Sequence, residues 1–268
     1  MLIDTHCHLH DQEWFTPEQA EQEIAAAHQA GVSRVICIGT DPADSLAAQA
    51  FAAQHPETYW TYGIHPEFAT RPVSPSASAA TNASAATAAN PQTELTPSAL
   101  PIPRDSRLLA IGEIGLDYHY SSDPAARTAQ IHLFETMLDL AVRHQLPVSL
   151  HLREAFADAW PVLDNFSPLT GVVHCFTGSK RDLKNALDRG FYIGVGGLAT
   201  YTTNPLPPLD RLLLETDAPF LTPAPFRGKI NSPRYIKIIA RYLAEQLGVA
   251  FSSLEEQTTQ NVRNLFNF

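Results

Sequence analysis

His6 and His8 stand one residue apart, and Glu113, His151, His174 and Asp217 each follow a short apolar run. Imidazole and carboxylate are the side chains that ligate divalent cations and exchange protons near neutral pH. The runs are Leu2-Ile3-Asp4-Thr5 before His6-Cys7-His8, Leu108-Leu109-Ala110-Ile111-Gly112 before Glu113, and Pro147-Val148-Ser149-Leu150 before His151. Gly171-Val172-Val173 leads into His174, and Leu212-Leu213-Leu214-Glu215-Thr216 into Asp217. A buried parallel strand reads as a short β-branched and leucine-rich run, and in a (β/α)8 barrel the chemistry sits at the strand C-terminal ends. Six ligand-type residues delivered there by separate strands are the parts of a binuclear metal centre of the kind hydrolases use.

Each residue alone has a plainer explanation. An isolated His-x-His is weak evidence, but successive strand side chains alternate faces, so His6 and His8 point together while Cys7 points away. Glu113 could cap a following helix; as a ligand it would bridge two metals, and all four lysines lie after the sixth predicted strand, which leaves Glu113 as the natural bridge. His151 and His174 could be hydrogen-bonded core histidines, since a buried imidazole needs a partner. Asp217 could ligate a metal and also take a proton from its water. The six together are not readily a coincidence. The expected cofactor is two divalent ions, Mg²⁺, Mn²⁺ or Zn²⁺; mixed imidazole and carboxylate suits Zn²⁺, Mn²⁺ or Fe²⁺, whereas Mg²⁺ prefers oxygen. No G-x-S-x-G elbow or Walker-type loop offers a rival plan.

The elements that must position these groups alternate along the chain. Strands are predicted near 2–6, 32–38, 59–64, 107–113, 147–151, 171–175, 191–195 and 211–216. Thr16-Pro17, Asp41-Pro42, Asp123-Pro124 and Ser232-Pro233 each put an acceptor at N-cap and proline at N1. Ser253 with Glu256 predicts a capping box for a last helix ending near Phe266. Ile131, Phe134, Leu138 and Val142 recur at helical spacing as one buried face. Strand–helix alternation with eight strands predicts an α/β fold, a (β/α)8 TIM-type barrel, as a single domain over 1–268. Two places break the rhythm. Residues 72–103 are Ala-, Ser-, Thr- and Pro-rich with Glu94 as the only charge, and are read as a mobile insertion after the third strand. Tyr201-Thr202-Thr203-Asn204-Pro205-Leu206-Pro207-Pro208 has too many prolines for a well-formed seventh helix.

Composition bounds the partners. A net charge of −10 over 268 residues does not advertise nucleic-acid binding, so a polyanion would have to be held by metals or a local basic patch. Residues 223–244 supply one: Arg227, Lys229, Arg234, Lys237 and Arg241, with no acidic residue. The odd count of three cysteines argues against a disulfide framework and for a reducing compartment. No leader-like start and no membrane-length apolar run make the expected location cytoplasmic, with no membrane partner.

Taken in order, the motifs resemble the TatD family of metal-dependent deoxyribonucleases, which are amidohydrolase-like barrels. The resemblance rests on Ile3-Asp4-Thr5-His6-Cys7-His8-Leu9, Gly63-Ile64-His65-Pro66, Ile111-Gly112-Glu113-Ile114-Gly115-Leu116-Asp117-Tyr118 and His151-Leu152-Arg153-Glu154-Ala155. It continues through His174-Cys175-Phe176-Thr177-Gly178-Ser179, Leu214-Glu215-Thr216-Asp217-Ala218-Pro219, Arg227-Gly228-Lys229, Asn231 and Asn261-Val262-Arg263-Asn264-Leu265-Phe266. It implies one ion on His6, His8, Glu113 and Asp217 and another on Glu113, His151 and His174. It implies 3′→5′ exonuclease cleavage of DNA, with single-stranded 3′ ends as partner and a monomeric enzyme. Glu113 and Asp217 would carry the catalysis, Asp217 as proton acceptor, while His65, Arg153, Arg227, Lys229 and Asn231 would contact substrate. Leu152 stands where the family usually has serine, and the 72–103 insertion and the shortened segment before Asp210 are atypical; these bear on substrate preference rather than catalysis. The same ligands would also serve an amidohydrolase or lactonase acting on a small C–N or C–O ester substrate, or a barrel that binds without turnover.

Overall fold

The structure is a computed structural model that describes residues 1–70, 102–103, 105–119 and 123–267. Eight strands form one parallel sheet in sequence order: β1 (Leu2–Cys7), β2 (Val32–Cys37), β3 (Thr58–Tyr62), β4 (Leu108–Asp117), β5 (Val148–Arg153), β6 (Gly171–Val173), β7 (Tyr192–Val195) and β8 (Leu212–Leu214). The barrel closes just beyond β8. There the His8 amide donates to the Ala218 carbonyl at 2.7 Å and the Asp217 amide to the His6 carbonyl at 2.8 Å. Around it lie α1 (Pro17–Ala30), α2 (Pro42–Gln54), α3 (Pro124–His144), α4 (Phe156–Asp164), α5 (Lys180–Asp188), α6 (Ile236–Leu247) and α7 (Phe251–Phe266). This is the TIM-type barrel the alternation implied. As the prolines required, only the 3₁₀ turns Gly197–Thr200 and Leu209–Arg211 separate β7 from β8 among the described residues.

The caps act as their residue types dictate. Thr16 accepts from the Gln19 amide while Gln19 answers to the Thr16 amide, Asp41 accepts from Asp44, and Asp123 from Ala125. Ser232 caps the 3₁₀ turn Pro233–Tyr235, which runs directly into α6. Three expectations need correction. First, α7 starts at Phe251, after Ala250 and without a side-chain cap, so Ser253 lies inside its first turn. Phe251 packs on the main core, and that apolar contact sets the start. Second, on α3 Phe134 and Leu138 are buried but Val142 is 46% exposed; Ala141 holds the inward position in its place. Third, β4 runs on to Asp117, pairing Gly115 with His151 and Asp117 with Arg153, so Glu113 and His151 sit within strands and not at their ends. The segment expected as an insertion, 72–103, lies outside the described residues apart from Ile102 and Pro103.

Two apolar clusters among the described residues place the site. The larger fills the space between sheet and helices and includes Leu2, Cys7, Val35, Cys37, Trp60, Phe134, Leu138 and Ile239. The smaller joins Ile3, Ile36, Ala110, Val172 and Leu213 to Val262, Leu265 and Phe266 of α7 and takes nothing from the other helices. It is the barrel interior, closed at one end by α7. Ile3 and His6 are three apart and would face opposite ways on a regular strand, yet both turn inward. A register shift between Asp4 and Cys7 makes that possible. The interior is therefore apolar at the α7 end and polar at the other, where the histidines gather.

Candidate metal centre

β1 brings His6 and His8 to the open end of the barrel. The His6 ring stacks on that of His174, with centroids 3.9 Å apart and planes at 13°. Its Nε2 lies 3.5 Å from Glu113 Oε2 and 3.6 Å from Asp217 Oδ1. His8 Nε2 lies 3.5 Å from the same Asp217 oxygen, while His8 Nδ1 is 3.0 Å from the Ile38 carbonyl. A carbonyl only accepts, so Nδ1 carries the proton and Nε2 keeps its lone pair for the site. Cys7 points outward, with Sγ 3.5 Å from the Ile36 carbonyl, as strand alternation requires.

Glu113 is the centre of the arrangement. Its Oε1 lies 2.6 Å from His151 Nδ1, 2.8 Å from His174 Nε2 and 3.8 Å from His65 Nε2. Burial opposes its ionisation, but His174 and His151 outweigh burial and hold its carboxyl well below the usual range. The same balance applies to Asp217, which burial pushes up and His8 and His6 pull down. Both carboxylates stay charged. His65 caps the 3₁₀ turn Pro66–Phe68 by accepting from the Glu67 amide at Nδ1, which leaves Nε2–H facing Glu113. Burial pushes its pKa down to about 4, so it is a neutral donor.

Two carboxylates in this cluster were not expected. Asp117 Oδ2 lies 3.0 Å from His151 Nε2 and 4.0 Å from an Arg153 guanidinium nitrogen. Glu215 Oε1 lies 3.7 Å from His174 Nδ1 and accepts from the Cys175 amide. Strand alternation could have found both, because Asp117 is four residues from Glu113 and Glu215 two from Asp217. A fourth strand ending at Glu113 hides Asp117, and Glu215 is masked by the leucine run that contains it. Gly115 matters for the same reason. It sits at φ +145° against β5, and a Cβ there would overlap the His151 carbonyl oxygen. Only glycine lets the two strands come close enough for Glu113 and Asp117 to reach His151 from the same side.

The other expected residues separate into two groups. Arg153 ends β5 beside Asp117, and Arg227 and Lys229 lie on the exposed loop after β8. The Arg227 guanidinium rests 4.1 Å from the Tyr201 ring centroid, and Lys229 Nζ 5.6 Å from that of Phe226. Asn231 is a correction: it is fully buried and does not reach a substrate. Its Nδ2 donates to the Thr216 and Phe220 carbonyls at 2.7 and 2.6 Å, and its Oδ1 accepts from the Ser232 amide. Asn231 therefore clamps the loop that carries Phe220, Arg227 and Lys229.

The donor set fits divalent cations. Both His6 nitrogens and one Glu215 oxygen are buried without a hydrogen-bond partner, a costly state unless a cation completes them. Ligand atoms of His6, His8 and Glu113 lie within 4.8 Å of one another, as do those of His65, Glu113 and His151 and those of His6, His174 and Glu215. The hydrogen bond from His8 to a backbone carbonyl is the outer support that metal-ligating histidines use.

Residues 3–267 match the family described as TatD related DNase. The chain is 32% identical over 279 residues to the uncharacterized metal-dependent hydrolase YabD of Bacillus subtilis strain 168, with 99% of each chain covered. It is 34% identical over 263 residues to the 3′-5′ ssDNA/RNA exonuclease TatD of Erwinia tasmaniensis, covering 92% of this chain and 93% of that one. Among solved structures, the TatD homologue YJJV of Escherichia coli K12 superposes with a TM-score of 0.81 at 29% identity, covering 100% of this chain and 98% of the other.

Proposed function

The chain belongs to the TatD-related DNase family, and from that premise we propose that it is a metal-dependent hydrolase of DNA phosphodiesters, a 3′→5′ exonuclease on single strands. The observation that carries this reading is the orientation of Glu113. Its Oε2 turns to His6 at 3.5 Å, while its Oε1 turns to His151 at 2.6 Å and His174 at 2.8 Å. A carboxylate whose oxygens face separate imidazole sets suits a bridge between two cations. In this reading His6, His8, Glu113 and Asp217 would hold one divalent ion, and Glu113, His151 and His174 the other. The nitrogen-rich donor set favours Zn²⁺ or Mn²⁺ over Mg²⁺. Bound there, such ions supply Lewis-acid stabilisation of phosphate charge and lower the pKa of a water.

The protein's own groups do the rest. Asp217, kept ionised by His8, takes a proton from the attacking water. The water oxygen bonds to phosphorus, the P–O3′ bond breaks, and the departing 3′ oxygen takes a proton from solvent, to which Asp217 later releases its own. A nucleotide bearing a 5′ phosphate leaves, and the shortened strand keeps a 3′ hydroxyl. His65 offers its Nε2–H, and Arg153, Arg227 and Lys229 their charges, to the phosphate oxygens. The description of the Erwinia relative as an ssDNA/RNA exonuclease supports the substrate class. The proposal includes a single unit over 1–268 acting as a monomer in the cytoplasm. Free Cys7, Cys37 and Cys175 are consistent with a reducing compartment, and no helix among the described residues is long and apolar enough to cross a membrane.

The test is incubation of the purified protein with 3′-labelled and 5′-labelled single-stranded DNA in Mg²⁺, Mn²⁺, Zn²⁺ or chelator, with Asp217→Asn alongside. Metal-dependent stepwise shortening from the 3′ end, lost in the variant, is expected. Failure to cleave with any metal, from protein that binds two ions, would point instead to a hydrolase of small esters or amides.

A further inference from the structure

Two of the large apolar side chains exposed among the described residues are aromatic and in contact. Among the described residues Trp14 and Phe220 are each 43% exposed. Their rings meet edge to face, with centroids 5.4 Å apart and planes at 79°. Trp14 lies in the loop between β1 and α1, and Phe220 in the segment after β8. The pair therefore straddles the seam where the barrel closes, at the end that holds the histidines. The Phe220 ring centroid is 6.2 Å from that of His8.

Both rings stand on fixed backbone. The Phe220 amide donates to the Asp217 carbonyl at 2.7 Å, and its carbonyl accepts from Asn231 at 2.6 Å. The Trp14 amide donates to the Asp11 carbonyl at 3.2 Å, and the Asp11 amide to the His8 carbonyl at 3.1 Å. Phe220 is thus tied by one turn to Asp217, and Trp14 by two successive turns to His8. Rings held this way lose little conformational entropy when a flat ligand settles on them.

Charge decides which part of a ligand goes there. Asp11 and Glu13 precede Trp14 in the same loop, so their charge disfavours a phosphate on that side. Arg227 and Lys229, on the same loop as Phe220, offer the positive charge a phosphate needs. A neutral flat ring fits the aromatic corner, and an anionic backbone fits the basic side.

We propose that Trp14 and Phe220 form a base-stacking subsite, in which a nucleobase adjoining the scissile phosphate packs against the two rings. The proposal rests on the nuclease reading and deepens it. It makes binding tolerant of base identity, because every base has a π face. It also favours single strands, since the faces of a paired base in a duplex are covered by its neighbours.

Trp14 supplies its own readout, because the other two tryptophans, Trp60 and Trp160, are buried. The full-length protein in Mg²⁺ is titrated with a phosphorothioate-linked single strand of DNA and, separately, with an all-abasic strand of the same length. Binding is followed by anisotropy and stacking by tryptophan emission. The base-bearing strand is expected to quench the emission saturably, and the abasic strand to bind more weakly without quenching. Phe220→Leu keeps the apolar volume and is expected to weaken binding of the base-bearing strand roughly 5- to 100-fold while leaving the abasic strand unaffected. Phe220→Tyr restores it. If both strands bind equally without quenching, the subsite is overturned and the nuclease reading stands. If neither strand binds and the protein cleaves no DNA, both are overturned together.

Discussion

At the scale of single residues, the chemistry turns on how carboxylates and imidazoles share charge. Glu113 is in contact with His151 and His174 through one oxygen and faces His6 with the other. Glu113→Gln keeps the shape but replaces one oxygen with an amide that cannot ligate. The expected outcome is loss of at least one bound metal per chain, read by elemental analysis, and a fall in kcat of at least roughly 100-fold. Asp117 acts one step removed. Its carboxylate accepts from His151 Nε2, which sets the tautomer so that Nδ1 faces Glu113. Asp117→Asn is expected to weaken metal binding by about 10- to 100-fold in a competition titration against a chelating dye, with the melting temperature of the metal-free protein little changed. Unaltered metal affinity would assign Asp117 to holding Arg153 alone. The clustering of the six candidate ligands was legible because each follows a recognisable apolar run. Asp117 was not, because the apolar run stops at Glu113 while β4 continues to Asp117, and Glu215 was not, because it sits inside the leucine run that leads to Asp217.

At the scale of elements, a barrel must hold its loops at the C-terminal end as firmly as its strands, since candidate ligands such as His8 and Asp217 lie just beyond the strand ends. Asp44 shows how. One oxygen accepts from the Thr40 amide and hydroxyl at 2.8 and 2.9 Å, and the other meets His10 Nε2 at 2.9 Å. This ties the turn between β2 and α2 to the loop that follows His8. Burial pushes His10 down, but the Asp44 carboxylate, with a smaller contribution from Cys37, outweighs it and raises its pKa from 6.5 to about 10. Burial likewise opposes the charge of Asp44, but His10 outweighs burial and draws it from 3.8 to about 2. A raised histidine contributes stability that is complete below its unfolded value and is lost as pH rises through the folded one. A depressed aspartate contributes stability that is present above its unfolded value and is lost as pH falls through the folded one. The pair therefore contributes fully between about pH 4 and 6.5 and fades by pH 10. Asp44→Asn is expected to cost about 2 kcal/mol at pH 6, with the penalty shrinking toward pH 10, as thermal melts at the two pH values would record. Elements of this kind are only partly written in the local sequence. Asp41-Pro42 announces the start of α2, and β2 reads as a strand, but nothing near His10 signals that its partner lies 34 residues away. The start of α7 escaped for a related reason: its first residue is held by tertiary packing and not by a cap.

At the scale of the whole molecule, the proposed substrate and the protein are both anions. With a net charge of −10, long-range electrostatics repel DNA, so attraction must come from bound cations and from a few side chains close to the site. Arg153, Arg227 and Lys229 are the candidates, and a protein that grips one strand end needs no more. Counterion release then sets a quantitative expectation. Each phosphate neutralised on a single strand contributes about −0.7 to the slope of log affinity against log salt, so three contacts give about −2. The repulsion between net charges opposes this, since it is screened as salt rises, and makes the measured slope shallower still. Lys229→Glu is expected to flatten the slope by at least about 0.7. Hydrolysis of a small neutral ester, if the protein catalyses any, should be unaffected by the change. Lys229 is exposed on the loop and Asn231 clamps that loop through its own side chain, so the substitution leaves the metal centre intact. Binding isotherms of wild type and variant across a salt series, at fixed Mg²⁺, measure the two slopes directly. A slope near −2 that the variant flattens would place the phosphate contacts on these side chains. An unchanged slope would remove Lys229 from the phosphate contacts and leave them to the metals, His65, Arg153 and Arg227.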